Sequence, residues 1–368
     1  MCRTLLFKFK TKTMLQKFFA TAIGMAAVSG IYSQDSTKSS PFKLSASADL
    51  YYRYNFHDPP KTATPLYNNL TSFTPSQNSF ELGMVSVKGE HTIGKAAMVA
   101  DVGFGRRVED FSYNDNPQKN GFVSLANIKQ LYLSYAVSDK FKLSMGKWAT
   151  HIGYELVDAY LNRNYSMSYM FSYGPFFHTG LKADIGLGGK SALMFGIADP
   201  TDFTTTISPS KFVIGQFSTG SSDDKFKAYL NYQGGRVSPG MKLNQFDLVL
   251  TGAISDKFSL GYNGTVQSRK PGAESGDSWW GSALYFNVDP ATNFGLTLRT
   301  EYFHDEKNVA GVGSNIFGTT LSGNIKIDRL TIIPELRLDN ASSAIFSKGS
   351  GSKTKNTSTA LLAAVYSF

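Results

Sequence analysis

FKLSASADLYYRYNF, residues 42–56, keeps a period of two over its whole length. Phe42, Leu44, Ala46, Ala48, Leu50, Tyr52, Tyr54 and Phe56 occupy the even positions. Lys43, Ser45, Ser47, Asp49, Tyr51, Arg53 and Asn55, polar or amphipathic, occupy the odd ones. A β-strand sends alternate side chains to opposite faces, so this strand has one greasy face and one wet face. Globular strands run about five or six residues. The stretch alone leaves two readings open, a long strand of a soluble sandwich and a wall strand of a membrane barrel with its apolar face outward.

The same period recurs along the chain. Ala96, Met98, Ala100, Val102 and Phe104 alternate with Lys95, Val99 and Asp101, and Leu131, Leu133, Tyr135 and Val137 with Gln130, Tyr132 and Ser134. Phe177, Leu181, Ala183, Ile185 and Leu187 share one face, opposite His178, Lys182 and Asp184. Similar strands follow from residue 226 to the end, and residues 80–87 and 211–217 are less regular. Short turns of Gly, Asp, Asn and Ser take turns with long connections, 57–78, 106–124, 149–174, 199–210, 234–242, 268–276, 304–314 and 340–357. Seven short turns and eight long loops join sixteen strands and place both termini of the chain on the short-turn side. This asymmetry belongs to outer-membrane barrels. The short turns echo one another: SDKF begins at Ser138 and again at Ser255, and DDKF at Asp223, so an aromatic recurs just after the turn. Tyr52, Tyr54, Tyr232, Trp280 and Tyr302 stand at the opposite strand ends, as a second aromatic girdle would.

Beyond the leader no apolar run reaches the roughly twenty residues of a membrane-spanning helix, and mean hydropathy is −0.19. Barrel strands hide their hydrophobicity in alternation, so this does not exclude a membrane. Aromatics at 14% and 34 glycines suit strands and tight turns. Met1 to Lys17 is basic and residues 18–28 are apolar and small, which reads as a signal peptide over 1–33, cut after Ile31-Tyr32-Ser33. Met14 is an alternative start. The single barrel domain is then expected over 34–368. The net charge of +9 falls to +4 without the five basic residues of that leader, and the remaining charges alternate with apolar residues, which gives nucleic acid no basic patch. The lone cysteine, Cys2, is also in the leader, so neither disulfides nor thiolate metal sites are expected.

The chain ends LLAAVYSF, with Leu362, Ala364, Tyr366 and Phe368 on one face. A last strand pairing with the first removes both sheet edges, which lipid does not tolerate. A terminal Phe368 with Tyr366 two before it resembles the end read by the barrel-assembly machinery in bacterial outer-membrane proteins. Three stretches carry a narrower likeness: FKLSASADLYYRYNFHDPP, LYLSYAVSDKFKLSMGKWATHIGYE and YMFSYGPFFHTGLKADI. They resemble the OmpL-like β-barrel porin family. The resemblance covers about the first half of the mature chain and implies an outer-membrane porin without naming a solute.

The third long loop, residues 149–174, lacks both the strand period and the composition of a surface tip. Ile152, Leu156, Val157 and Leu161 suggest a short helix on the wall, leaving Tyr154, Glu155, Asp158, Tyr160 and Arg163 towards the lumen. By analogy with general porins, this loop is expected to set the constriction. The remaining lumen face is expected to carry Lys43, Arg53, Lys142, Lys182, Lys225, Lys227, Arg299 and Arg337 against Asp49, Asp101, Asp184, Asp247, Glu301 and Glu335. The histidines, His57, His91, His151, His178 and His304, fall in no zinc-protease spacing, and no Gly-x-Ser-x-Gly elbow or phosphate loop occurs. The expectation is an all-β, up-and-down barrel of about sixteen strands in the outer membrane. It would pass small hydrophilic solutes, use no cofactor and have lipid as its surroundings, with a homotrimer by analogy. A solute-specific channel, for anions such as phosphate, and an adhesin or rim enzyme are the alternatives.

Overall fold

A computed structural model describes residues 41–115, 125–238, 240–272 and 275–368; the expected signal peptide lies outside them. The strands are β1 (Lys43–Asn55), β2 (Ser79–Ile93), β3 (Ala96–Phe104), β4 (Ile128–Ser138), β5 (Phe141–Ala149) and β6 (Phe177–Gly188). They continue as β7 (Ser191–Ala198), β8 (Phe212–Gly220), β9 (Phe226–Ser238), β10 (Met241–Ser255), β11 (Phe258–Pro271) and β12 (Asp277–Ala291). The last are β13 (Phe294–His304), β14 (Ile316–Ile327), β15 (Leu330–Ala341), a small hairpin of β16 (Phe346–Ser347) and β17 (Lys353–Thr354), and β18 (Asn356–Ser367). All but the small hairpin pair with their neighbours into one closed antiparallel barrel of sixteen strands.

The alternation of residues 42–56 becomes the two sides of this wall. Asp49, Tyr51, Arg53 and Asn55 of β1 are buried inside, while Leu44, Leu50 and Phe56 are exposed outside. Leu82, Leu133, Met145, Phe195, Leu230 and Leu336 repeat that outward exposure around the barrel. An outer surface this apolar dissolves in lipid. Closure falls to the terminal strand: Tyr52 pairs with Leu362 and Ala48 with Tyr366. Two backbone hydrogen bonds between Ala46 and Phe368 complete it, so neither edge is left open. The outer rings pair where the second girdle is expected, Tyr52 with Phe80 and Trp280 with Tyr302. The short turns are tight: Ile93 faces Ala96 across a turn in which Gly94 takes φ +55°.

Three expectations need correction. The long loop at 234–242 is largely strand: β9 runs on to Ser238 and β10 begins at Met241, with Gln233 opposite Gln245 and Gly234 opposite Asn244. The paired backbones of these tall strands extend past the girdle ring of Tyr232. Phe177 does not join the lipid face; it is buried with Phe73, Phe111, Val157, Met167, Phe171 and Phe176 in a cluster made by the first three long loops. Lys225 sits in the short turn, paired with Asp223 at 3.7 Å, and is not a wall residue.

Candidate functional site

The third loop runs between the ends of β5 and β6 and is bonded throughout to inward side chains of the wall. Its backbone explains why. A loop with no strand to pair with must still satisfy its N–H groups. Here wall carboxylates accept them. Glu335 on β15 accepts from Tyr165 N at 2.8 Å and Ser166 N at 3.2 Å. Glu301 on β13 accepts from Tyr169 N at 2.7 Å, and Asp247 on β10 from Gly153 N at 3.0 Å. The loop's own Glu155 accepts from Ser168 N at 2.7 Å.

No α-helix forms at residues 152–161. Asn162 takes its place, accepting from Leu156 N at 3.0 Å and donating back to Leu156 O at 2.5 Å, so one amide side chain closes the bend. A single 3-10 turn spans Ala159–Leu161. The loop carries one short α-helix, Tyr169–Tyr173, which the sequence reading does not place. Ser168 caps it by accepting from Phe171 N.

The candidate constriction residues do not form an open ring of facing charges; each meets a partner. Glu155 accepts from Arg299 Nη1 at 2.6 Å and from Tyr285 Oη at 3.2 Å. Asp158 accepts from the buried Lys129 ammonium at 2.5 Å, which also contacts Asp101 at 3.1 Å. Arg163 makes a bidentate pair with Asp289, at 2.8 and 3.0 Å, and donates to Thr297 at 2.7 Å. Tyr154 stacks on Tyr285 with ring centres 4.0 Å apart. Tyr160 alone of these is exposed. The expectation that Glu155 and Asp158 face open lumen therefore fails. A buried carboxylate needs a cation or donors around it, and both were drawn into the wall.

Most of the expected lining residues also face inward and are engaged. Asp49 accepts from Tyr165 Oη at 2.5 Å and lies 3.8 Å from Arg107. Arg53 donates to the carbonyls of Tyr67 and Ser76 in the first loop. Arg299 also donates to Ser166 O at 2.7 Å, and Arg337 to Met167 O and Asp339, both at 2.8 Å. Lys182 and Asp184 lie 3.7 Å apart, and Lys43 lies 3.4 Å from Glu90. These last pairs are on the short-turn side of the third loop, where inward side chains stay partly exposed.

Across β8 to β12 the contacts are of another kind. Gln233 and Gln267 both donate to Gln245 Oε1, at 2.8 and 3.1 Å, and Trp279 Nε1 donates to Gln267 at 3.1 Å. One row lower, Gln216 donates to Asn231, and Asn231 and Asn263 both donate to Asp247. No sequence motif marks these amides beyond their inward parity. Lys129, Tyr165 and Asp202 were missed as well. Asp202 accepts the N–H groups of Phe176 and Phe177, at 2.6 and 3.0 Å, and ties the fourth loop to the third; burial pushes its carboxyl up to about 7.

Two wall glycines make room for the loop. A Cβ on Gly261 would meet the Tyr154 ring at 2.7 Å, and one on Gly281 would meet Met170 Cγ at 2.5 Å. With the loop seated, inward side chains at mid-height are buried around the barrel, from Arg53 and Asp101 through Gln245 and Thr297 to Glu335.

This architecture is shared with solved outer-membrane channels. The anion-selective porin from Comamonas acidovorans superposes with a TM-score of 0.62 at 12% identity, over 90% of this chain and 100% of that one. The channel DcaP of Acinetobacter baumannii gives 0.59 at 10%, over 92% and 99%. OmpT of Vibrio cholerae gives 0.59 at 11%, over 92% and 100%. At such identities the likeness establishes the fold. No curated protein matches the chain. The family model described as "Putative beta-barrel porin-2, OmpL-like" matches residues 41–368. The chain belongs to that porin family, a sixteen-stranded barrel of the bacterial outer membrane.

Proposed function

We propose that this porin passes small hydrophilic solutes passively and that residues 149–174 set its narrowest point. The observation that carries the reading is the fixing of the third loop's backbone by Glu335, Glu301 and Asp247, three carboxylates on three wall strands. Hydrogen bonds to charged groups contribute about 1.5–3 kcal/mol each, enough together to hold a loop against its own entropy. The filled belt at mid-height favours a narrow channel over a wide one. Phe368, at the closing seam, is the end offered to the assembly machinery, and residues 1–33 direct export. A homotrimer fits a fold in which OmpT of Vibrio cholerae has been solved in a trimer form. No enzymatic step is invoked.

Single-channel conductance of the refolded protein in planar bilayers tests this. Deleting residues 154–169 is expected to raise conductance several-fold and to admit larger uncharged polymers. An unchanged pore radius in a folded deletion variant overturns the role given to the loop.

A further inference from the structure

We propose that the outer face of β9, β10 and β11, just above the aromatic girdle, binds a lipid-borne phosphate of the surrounding leaflet. The basis is a row of like charges. Lys242 on β10 pairs directly with Arg236 on β9 and with Lys270 on β11. Directly opposed residues share a face of the sheet. The outward Phe246, four residues from Lys242 on the same strand, shows that this is the outer face. All three cations are exposed. Their Cβ atoms stand about 5 Å apart from strand to strand, where like charges repel. The sequence divides them between two connections, 234–242 and 268–276, and strand pairing brings them into line.

The acids around the row do not balance it. Among the described residues no carboxylate pairs with any of the three. On one flank Asp199 is taken by Lys211 at 3.0 Å. On the other, Asp277 lies opposite Arg269 on the inward parity of β12 and β11, and Arg269 donates to the inward Gln267. Glu306 follows β13, two strands beyond β11. Glu274 lies outside the described residues; even counted in full against the row, one acid from three cations leaves two positive charges.

The rows beneath are layered as a lipid is. Tyr232, Phe246, Val266 and Trp280 pair across four strands as part of the girdle, with the Tyr232 and Phe246 ring centres 4.9 Å apart. Next come Gly234, Asn244, Ser268 and Ser278, a row of small and polar residues. Tyr232 rises along the sheet over Gly234, where a Cβ would collide with its hydroxyl. That hydroxyl donates to Asn244 Oδ1 at 2.9 Å and leaves the Asn244 nitrogen as a donor. The cation row stands above. Four residues of tilted strand past Tyr232 lift Arg236 by about 10 Å, from the edge of the hydrocarbon into the headgroup layer. The strands that close the barrel carry no such row: their exposed outward pair past the girdle is Asn340 with Asn356.

A lipid phosphate suits this face better than a free anion. Guanidinium and ammonium groups in line give charge-assisted hydrogen bonds to phosphate oxygens. The apolar wall below takes the acyl chains of the same molecule, so one stripe meets both ends of one lipid. A free anion would use only the top row, which is exposed and screened by salt. The face looks away from the lumen, so the site stands whether or not the barrel conducts.

The test is lipid binding by the whole mature protein, refolded in uncharged detergent and measured by native mass spectrometry. The probes are lipid A and the same lipid A with its phosphate removed. The parent is expected to bind the phosphorylated form at least tenfold more tightly. Arg236→Gln/Lys242→Gln/Lys270→Gln should abolish that preference, and Lys242→Gln alone should reduce it about threefold. Lys140→Gln/Lys257→Gln, which removes two exposed cations from the short turns at the opposite end, should leave it unchanged. Without lipid at low salt the triple variant should unfold at a higher temperature than the parent, because the repulsion is gone; phosphorylated lipid A should reverse that order. Heat-modifiable migration on gels verifies folding, and the single variant decides if the triple one does not fold. Equal binding of the two lipids by the parent, or an equal preference in parent and variants, overturns the site. Stabilisation that inorganic phosphate alone reproduces overturns the lipid as its source. A change of oligomeric state in the lipid-free triple variant assigns the row to a second copy of the chain and likewise overturns it.

Discussion

The two arcs of wall that hold the third loop differ in kind. From β13 through β15 to β4 the contacts are ionic: Arg299 with Glu155, Arg337 with Glu301 and Asp339, and Lys129 with Asp101 and Asp158. From β8 to β11 they are mostly amide to amide, centred on Gln245 and Asn231. The ionic arc grips the half of the loop that turns back, residues 155–169, and the amide arc lies beside its base at 151–154. A buried charge left without its partner costs far more than a buried amide left without one. The loop is thus anchored hard on one side and softly on the other.

The largest expected effect comes from breaking the ionic arc. Arg299→Met leaves Glu155 and Glu301 buried without their shared cation, a loss of about 3–5 kcal/mol. Urea denaturation followed by gel mobility should show the fall, and conductance should rise as the loop loosens. A loss no greater than that of an amide variant removes the contrast between the arcs.

The pH response reads the soft side. His151 Nε2–H donates to Tyr232 O at 3.1 Å, and burial pushes the ring down to about 4. Its folded value lies below the ordinary 6.5, so an unseated loop binds more protons between pH 6.5 and 4. Seating is fully favoured above 6.5 and weakens as pH falls towards 4, on the order of 3 kcal/mol in all. The nearby Lys182 adds to the cost of charging it. Hydrogen exchange at residues 150–156 should accelerate across that window, and His151→Gln should flatten the response.

Smaller effects sharpen the comparison further. Gly261→Val puts side-chain atoms where the Tyr154 ring lies; overpacking of this sort costs about 1–3 kcal/mol. It should shift exchange at residues 153–155 while leaving residues 164–169 protected. Gln245→Leu strands the donors of Gln233 and Gln267, for about 1–3 kcal/mol before relaxation, and thermal unfolding should fall by a few degrees. Adding Gln233→Leu should recover part of that loss, because one of the two stranded donors is then gone.

The barrel was legible because lipid imposes a strict rule on each wall strand: apolar outward, every second residue. The rule reads correctly through β1, β3, β4 and the terminal strand. It fails at Phe177, where the strand has risen above the membrane into the loop cluster and lipid no longer selects the outward side chain. Where the strands of β9 and β10 stop was likewise hidden, since Gly234 and Gly235 look like a turn yet sit in paired backbone. The third loop stood out by composition, and Glu155, Asp158 and Arg163 do join it to the wall. Their direction was not legible, because it depends on Lys129, Arg299 and Asp289, which are distant in sequence and meet the loop only once the barrel closes. The amide arc left no trace, since glutamine and asparagine at inward parity read as an ordinary hydrated wall.

Whether the third loop is seated against the wall is measured most directly by trapping it there. Asn164 Nδ2 lies 2.6 Å from Ser322 Oγ on β14, and the only native cysteine is Cys2 in the leader. An Asn164→Cys/Ser322→Cys chain should form a disulfide under mild oxidation, as a mobility shift reversed by reductant, while keeping the parent's conductance. Two free thiols that label readily from the outer face and never cross-link would contradict the account.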